Sequence, residues 1–257
     1  MAERVSQDEV DILVSPIASN GTDDEVDICR RLATSRRVDA IIVTSPKPND
    51  ERIRLLDQLG MPFLVRGRSE IEIPWLDIDN DGAVYRSTAH LLDLGHSRIA
   101  MINGRYGFTF SLHRDAGYRR ALEERGVSFD PTLVEHGDFT DEAGYRIALK
   151  LLESELRPTA FIAGSMMSTL GIYRAARSVG LEIGKDISVV AHDDVISFLS
   201  ADNMVPSLTS TRSSMRLAGK RCADLVMEML DGRIATDIHE LWPVELILRE
   251  SATRAPY

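Results

Sequence analysis

Polar side chains that could bind a ligand lie within or directly after several short apolar runs of the sequence. The run ISVVA is followed by His192, Asp193 and Asp194, and the run FIAG is followed by Ser165. The equivalent positions of other runs hold Thr44 and Ser45, Arg66, Gly67 and Arg68, Asp77 and Asp79, and Asn103. Carboxylates accept hydrogen bonds from vicinal hydroxyl groups, and arginine donates to them. This mixture of acids, bases and hydroxyls predicts a neutral ligand with many hydroxyl groups, such as a sugar, rather than a phosphate or a nucleotide.

Catalytic and metal chemistry are weaker alternatives for the same residues. Asp193 and Asp194 could bind a metal or accept a phosphoryl group, but no companion lysine or third acid accompanies them. Ser165 with His192 could form a nucleophilic dyad, although AGSMM lacks the glycine of a nucleophile elbow. No strand runs into GxGxxG, and no Walker pattern occurs. We therefore expect no catalytic residues, no metal and no cofactor, while paired glycosidase carboxylates stay open, although 6% aromatic residues is low for such enzymes.

The composition limits the class of protein. The 257 residues are 44% hydrophobic and can fill a substantial core, but no apolar stretch approaches the roughly 20 residues that span a bilayer. The start, MAERVSQDEVD, resembles no signal peptide, which predicts a cytoplasmic protein without membrane contact. A net charge of −10 argues against an extended nucleic-acid footprint on these residues. Cys29 and Cys222 match no metal or redox spacing and are predicted to be reduced core thiols.

The apolar runs alternate with helical patterns along the chain. Continuous rather than alternating hydrophobicity is typical of parallel strands that helices cover on both faces. Asn49, for example, is predicted to open a helix that stops at Gly60. The result is an α/β fold of two doubly wound, parallel-sheet units, in which ligands bind beyond the carboxyl ends of the strands. The predicted strands are VDILVS, DAIIVT, MPFLV, RIAMIN, TAFIAG and ISVVAH.

Eight motifs of the sequence, from about Val10 to Glu250, resemble the lactose/galactose-repressor family of transcription regulators in order and in spacing. The ending ELWPVELILRES and the segments RGRSE, GYR and AHDDV look like the repressors of α-glucoside utilisation operons. The eight motifs are VDAIIVTSP, WLDIDNDG, HLLDLGHSRIAMING, HRDAGYRRALEERGV, GDFTDEAGY, RPTAFIAGS, LGIYRAARSVGLEIGKDISVVAHDD and SLTSTRSS.

The resemblance implies a periplasmic-binding-protein-like core of type I with a sugar effector in the cleft between two lobes. By analogy, one lobe takes residues 1–78 plus 212–241, and the other takes 79–211 plus 242–257. Family members form homodimers and bind operator DNA through an N-terminal helix-turn-helix that this sequence lacks. Family cores also place a strand and a helix ahead of VDILVS, so we expect this sequence to be part of a longer product. The alternative of another class is a transport-type periplasmic sugar-binding protein.

The resemblance also implies roles for individual residues. Arg114 matches the arginine that reaches effector hydroxyls, and a surface ion pair is its plain alternative. Asp193 matches the aspartate that accepts from sugar hydroxyls, with helix capping as the alternative. Phe139 matches an aromatic platform for the sugar, although it could simply fill the core. Ser165 stands where many relatives carry Asn followed by Asp. Gly67 replaces a frequent aspartate. The further ligand candidates are Arg68, Asp77, Thr44 and Ser45.

Overall fold

The computed structural model describes residues 10–15, 22–69, 71–193, 195, 198–233 and 238–256. The chain divides into two compact units. Unit 1 contains Met1–Asp77 and Arg216–Trp242, and unit 2 contains Ile78–Met215 and Pro243–Tyr257. The lobe boundaries expected from the sequence differ from these by one to four residues.

Unit 1 is built on a four-stranded sheet in the order β1-β2-β3-β9, and β1, β2 and β3 are parallel. Its strands are β1 Ile41–Thr44, β2 Phe63–Arg66, β3 Trp75–Ile78, which ends across the unit boundary, and β9 His239–Trp242. Its helices are α1 Thr22–Thr34, α2 Glu51–Gln58 and α7 Met215–Leu230.

Both faces of the unit 1 sheet are buried, which explains why its parallel strands have continuous apolar sequences. One face packs Val43 and Val65 against Cys29, Ile53 and Leu56. The other face packs Leu64 and Leu76 against Cys222 and Leu225 of α7. Both cysteines are buried and free, and burial raises their pKa values, which confirms the predicted core thiols.

Unit 2 is built on a six-stranded sheet in the order β10-β8-β7-β6-β4-β5. All of its strands are parallel except β10, which pairs antiparallel with β8. The strands are β4 Ile99–Asn103, β5 Val134–His136, β6 Ala160–Ala163, β7 Ser188–Asp193, β8 Thr209–Arg212 and β10 Glu245–Ile247. The helices are α3 Asn80–Asp93, α4 Thr109–Glu124, α5 Asp141–Leu152 and α6 Met166–Ser178. The predicted α/β class with parallel sheets is confirmed.

A buried histidine joins distant parts of unit 2. The ring of His96 contacts the Thr159 hydroxyl through Nδ1 at 2.9 Å. Its Nε2 lies 3.0 Å from the Ser188 hydroxyl and 3.0 Å from the carbonyl of Thr253, which therefore accepts a hydrogen from it. Burial lowers the pKa of His96, so the neutral ring is favoured in the fold.

Two local predictions were wrong. VDILVS is not a strand: residues 10–15 have no strand partner in the described part of the chain, and Asp11, Ile12, Leu13 and Val14 are exposed. A strand requires a neighbour that completes its hydrogen bonds, and hydrophobicity alone does not supply one. The cap of α2 is Asp50 rather than Asn49, because Asn49 has a left-handed φ of 56° while the Asp50 side chain accepts from the Arg52 amide.

None of the helices in the described residues is both long and apolar enough to cross a membrane.

Candidate functional site

Arg114 is a buried cation at the centre of the carboxyl-terminal edge of the unit 2 sheet. It lies in the second turn of α4, and only 4% of it is exposed. Its Nε donates to Asn80 Oδ1 at 2.9 Å, and its Nη1 donates to the Gly164 carbonyl at 2.8 Å. Asn80 begins α3, and Gly164 directly follows β6. The guanidinium therefore connects α4, α3 and the segment after β6. Because it is buried, Arg114 does not form the surface ion pair that was considered as its alternative.

Two aromatic rings flank the Arg114 guanidinium. Its Cζ lies 5.3 Å from the ring centroid of Phe110 and 5.7 Å from that of Phe139, within the range of cation–π attraction. The two ring centroids are 6.0 Å apart and tilted by 43°. We call Phe110 and Phe139 the aromatic wall. Both rings are partly exposed, so they can offer apolar surface to the carbon-bound face of a sugar.

The aromatic wall packs on backbone that has no side chain. A Cβ atom added to Gly104 would lie 2.5 Å from Phe110 Cε2 and 2.9 Å from Phe139 Cζ. A Cβ atom added to Gly164 would lie 2.7 Å from Phe139 Cε1. These distances are shorter than van der Waals contact, so glycine is required for the rings to approach the ends of β4 and β6.

A polar network holds Gly104 from behind. Asn103 Oδ1 accepts from the Gly104 amide at 2.8 Å, and Asn103 Nδ2 donates to Asp115 Oδ1 at 2.8 Å. His136 Nδ1 lies 2.9 Å from the Gly104 carbonyl, and its Nε2 lies 3.4 Å from Asp115 Oδ2. Burial raises the pKa of Asp115, although the Asn103 hydrogen bond and the charges of His136 and Arg119 oppose the shift.

Asp193 is the last residue of β7, where it is in register with Arg212 of β8. Ala191 of the same strand pairs with Ala163 of β6, so Asp193 lies at the same edge as the Gly164–Ser165 segment. Asp194 lies outside the described residues. The preceding residue, His192, is buried with Nδ1 3.1 Å from Thr211 Oγ1 and Nε2 3.1 Å from Ser213 Oγ.

Ser165 caps α6. Its Oγ accepts from the Ser168 amide at 3.1 Å and lies 3.1 Å from the Ser168 hydroxyl. The hydroxyl of Ser165 is therefore engaged by its own helix, whereas His192 bonds to β8 and to the segment after it. The serine–histidine dyad considered from the sequence is not formed. Within the described ranges, no three His, Cys, Asp or Glu side chains come together as a metal site.

Unit 1 brings together two further candidates with a neighbouring arginine. Asp77 is buried in β3, where its Oδ1 accepts from Arg66 Nη1 at 3.3 Å and its Oδ2 accepts from Arg68 Nε at 3.4 Å. Arg68 Nη2 is buried without a hydrogen-bond partner among the described residues. Gly67, between the arginines, has a φ of 133°, a backbone conformation that side chains disfavour. The cluster carries one more positive than negative charge.

Thr44 ends β1 and Ser45 follows it; both residues are exposed, and a buried ion pair contacts their backbone. Arg52 Nη2 donates to the carbonyls of Thr44 and Ser45, both at 3.3 Å, and to Asp50 Oδ2 at 2.6 Å. Burial acts to raise the pKa of Asp50, but the hydrogen bonds and charge of Arg52 outweigh it and lower that pKa. The Thr44–Ser45 segment is therefore held at its backbone, and both residues are exposed.

The sequence patterns did not single out Phe110 or Asn80. Phe110 could have been found, because it precedes Arg114 by four residues and so lies on the same face of a helix. Asn80 offered a weaker signal as the first residue after WLDID. The polar network behind Gly104 had no signal of its own, since it joins residues that are far apart in the sequence.

Comparison with known proteins agrees with this architecture. Residues 88–252 match the family described as the periplasmic binding protein-like domain. The HTH-type transcriptional regulator AglR of Rhizobium meliloti (strain 1021) is 41% identical over 259 aligned residues, which cover 100% of this chain and 72% of AglR.

Solved structures give the same assignment. A regulatory protein of the LacI family from Chloroflexus aggregans superposes with a TM-score of 0.82 at 28% identity, over 97% of this chain and 88% of that one. A complex of the transcriptional regulator CelR with cellobiose superposes with a TM-score of 0.80 at 29% identity, over 90% of this chain and 71% of CelR.

Proposed function

The chain belongs to the LacI family of transcription regulators, and we propose that it forms the effector-binding and dimerisation core of a repressor that responds to a sugar. In this proposal the sugar binds one conformation of the repressor more tightly than another, so its binding changes the affinity for operator DNA. Such coupling between two sites is typically worth about 1–3 kcal/mol.

The observation that carries the proposal is Arg114 with its aromatic wall. A guanidinium donates to sugar hydroxyls, and the rings of Phe110 and Phe139 pack on the apolar face of a pyranose. Because Arg114 is already fixed by Asn80 and Gly164, little side-chain entropy remains to be lost when a ligand binds. Asp193, at the same sheet edge, supplies the acceptor in the proposal, and Ser165 supplies its remaining lone pair.

The other candidates stay part of the proposal as contacts of unit 1. Asp77 and Arg68 offer a carboxylate and an orphan Nη2 to ligand hydroxyls, and Thr44 and Ser45 are exposed residues that each carry a hydroxyl. Replacing Arg68 with Met removes the orphan donor. We expect it to weaken sugar binding, while exchange of the exposed Arg54 for Met leaves binding unchanged.

The proposed ligand is an α-glucoside disaccharide. The resemblance of the sequence motifs to repressors of α-glucoside operons supports this subgroup, and the CelR structure is a complex with cellobiose, itself a glucose disaccharide. No bond of the sugar is made or broken in the proposed function, so chromogenic glycosides are not expected to turn over.

The whole protein is proposed to act in the cytoplasm as a homodimer that binds operator DNA through a helix-turn-helix of the kind for which AglR is named. The rival function, a transport-type sugar-binding protein, shares the fold but binds no operator. Sequence-specific DNA binding by the full-length protein therefore separates the two.

The direct test is a thermal-shift and calorimetric comparison of maltose, sucrose, trehalose and cellobiose with the 257-residue chain. We expect saturable binding of an α-glucoside and weaker binding of cellobiose. An absence of binding by all four sugars in a folded protein would overturn the proposed ligand class.

A further inference from the structure

Within the described residues, His136 and Asp115 are the ionisable side chains of the network behind the aromatic wall. His136 ends β5, and Asp115 lies in α4 one residue after Arg114. Through His136, the pair contacts the backbone of Gly104, on which both rings rest.

The hydrogen bond to Gly104 fixes the state of the imidazole. A carbonyl oxygen only accepts, so Nδ1 of His136 must carry a hydrogen. In a neutral ring, Nε2 then presents a lone pair to the Asp115 carboxylate 3.4 Å away, and the two repel. One proton placed between Nε2 and the carboxylate removes the repulsion, whether it belongs to the imidazole or to the carboxyl group. The burial of Asp115 raises its pKa and favours retention of that proton.

Other charged and aromatic side chains also lie near the His136–Asp115 pair. Arg119 of α4 acts on Asp115 by its charge. The rings of Tyr106 and His136 contact each other edge to face, with centroids 5.3 Å apart. The nearby charged side chains are paired with one another: Arg105 with Asp138, and Lys150 with Glu135. Of these charged or ionisable side chains, His136 is the one that contacts the Gly104 carbonyl.

We propose that His136 and Asp115 are positioning residues whose shared proton holds the Gly104 segment against Phe110 and Phe139 and so makes effector affinity dependent on pH. This inference rests on the proposed function, because it concerns the same site. Loss of the proton at alkaline pH returns the repulsion between Nε2 and the carboxylate, loosens the His136–Gly104 hydrogen bond and lets the rings shift. Sugar affinity is expected to fall by about fivefold between about pH 6 and about pH 8.5.

Two variants separate the proton from mere packing. Asp115→Asn presents an amide that donates to the neutral Nε2 of His136 while its oxygen still accepts from Asn103, so it needs no proton. We expect it to keep at alkaline pH the affinity that the unsubstituted protein has at about pH 6. His136→Asn keeps a donor near the Nδ1 position and removes Nε2, so its affinity is expected not to vary with pH. The control His90→Gln removes a histidine of α3 and is expected to retain the pH dependence.

The experiment is calorimetric titration of maltose, sucrose or trehalose, whichever binds most tightly, across this pH range, with near-ultraviolet dichroism to confirm folding. In parallel, the ring resonances of Phe110 and Phe139 are followed by NMR without sugar. They are expected to move with pH in the unsubstituted chain and to stay fixed in Asp115→Asn.

The two hypotheses fail in different ways. Failure of every sugar to bind overturns the proposed function, and the ring resonances still test the positioning role. Sugar binding that does not depend on pH would overturn the positioning role, and so would ring resonances that do not change with pH in the unsubstituted chain. Either result leaves sugar sensing intact.

Discussion

Arg114 Nε donates to Asn80 Oδ1 at 2.9 Å and so ties the interior of α4 to the first residue of α3. The same guanidinium reaches the Gly164 carbonyl through Nη1. Two donors that point in fixed, different directions from one planar group are what allow Arg114 to serve both acceptors. This geometry makes the identity of the cation, and not only its charge, a determinant of the site.

Arg114→Lys is therefore expected to damage the site although it keeps the positive charge. The single ammonium group cannot replace both hydrogen bonds with the same geometry, and the unsatisfied partner stays buried. We expect sugar affinity to fall at least about tenfold and the free energy of unfolding to fall by about 2 kcal/mol. Calorimetric titration and urea denaturation measure the two effects.

The control for this change is Arg119→Lys on the same helix. Arg119 is exposed and packs its guanidinium over the ring of Phe129, 3.6 Å from the centroid. Its exchange should leave sugar affinity unchanged. Equal affinities of Arg114→Lys and the unsubstituted chain would show that Arg114 does not bind the effector.

Gly164→Ala tests the close packing of the aromatic wall. The new methyl group would lie 2.7 Å from Phe139 Cε1 and 3.0 Å from the Ile102 carbonyl, so the ring must move. Overpacking of this kind typically costs about 1–3 kcal/mol of stability. We expect weaker sugar binding in addition, because Phe139 belongs to the wall.

Gly137→Ala is the matched control, since among the described residues a Cβ there would meet only Ile147 Cδ1, at 3.4 Å. Its sugar affinity should stay close to that of the unsubstituted chain. A Gly164→Ala variant that is destabilised but binds sugar normally would remove Phe139 from the proposed site.

Ser165→Ala separates helix capping from ligand binding. Loss of a serine cap typically costs about 1 kcal/mol, and Thr140→Ala, which removes the cap of α5, should cost about the same. Only Ser165→Ala is expected to lower sugar affinity, because its hydroxyl retains a lone pair at the proposed site. If both variants bind sugar equally well, Ser165 is a cap and nothing more. Urea denaturation and calorimetry provide the comparison.

The lowered pKa of His96 predicts that the folded protein loses stability on mild acidification. Its pKa is lowered in the folded protein, so below about pH 6.5 the unfolded chain binds more protons than the folded chain. The protonation of His96 is therefore expected not to change the free energy of unfolding at alkaline pH and to lower it as the pH decreases through that value.

His96→Gln preserves a donor for the Thr253 carbonyl and cannot be protonated. Its stability should be lower than normal at alkaline pH but should depend less on pH. The contribution of His90, whose pKa burial also lowers, remains in the variant. Identical slopes with and without His96 would contradict the assignment.

The sequence predicted those elements whose identity depends on local pattern. The buried parallel strands β1, β2, β4, β6 and β7 were found because helices cover both of their faces. β8 was not found, because Thr209, Ser210 and Thr211 are polar although they are almost fully buried. Their burial is possible because tertiary partners satisfy the hydroxyls, as when Thr209 donates to the Arg249 carbonyl at 3.1 Å. Such partners, 40 residues away, leave no trace in a local pattern.

The candidate site shows the same division. Arg114, Phe139 and Asp193 were expected from motifs that resemble a known family, and the structure puts all three in unit 2. Phe110 and Asn80 acquire their importance from the contacts of Arg114. The His136–Asp115 pair brings together β5 and α4, so only the folded chain reveals it.

The chain passes from one unit to the other three times, after Asp77, Met215 and Trp242. Neither unit is therefore encoded by one uninterrupted stretch of the gene. A stop codon after Met215 would remove β9 and all but the first residue of α7 from unit 1, and β10 from unit 2. Recombination that exchanged a single contiguous block could not transfer one unit intact, so the two units must be inherited together.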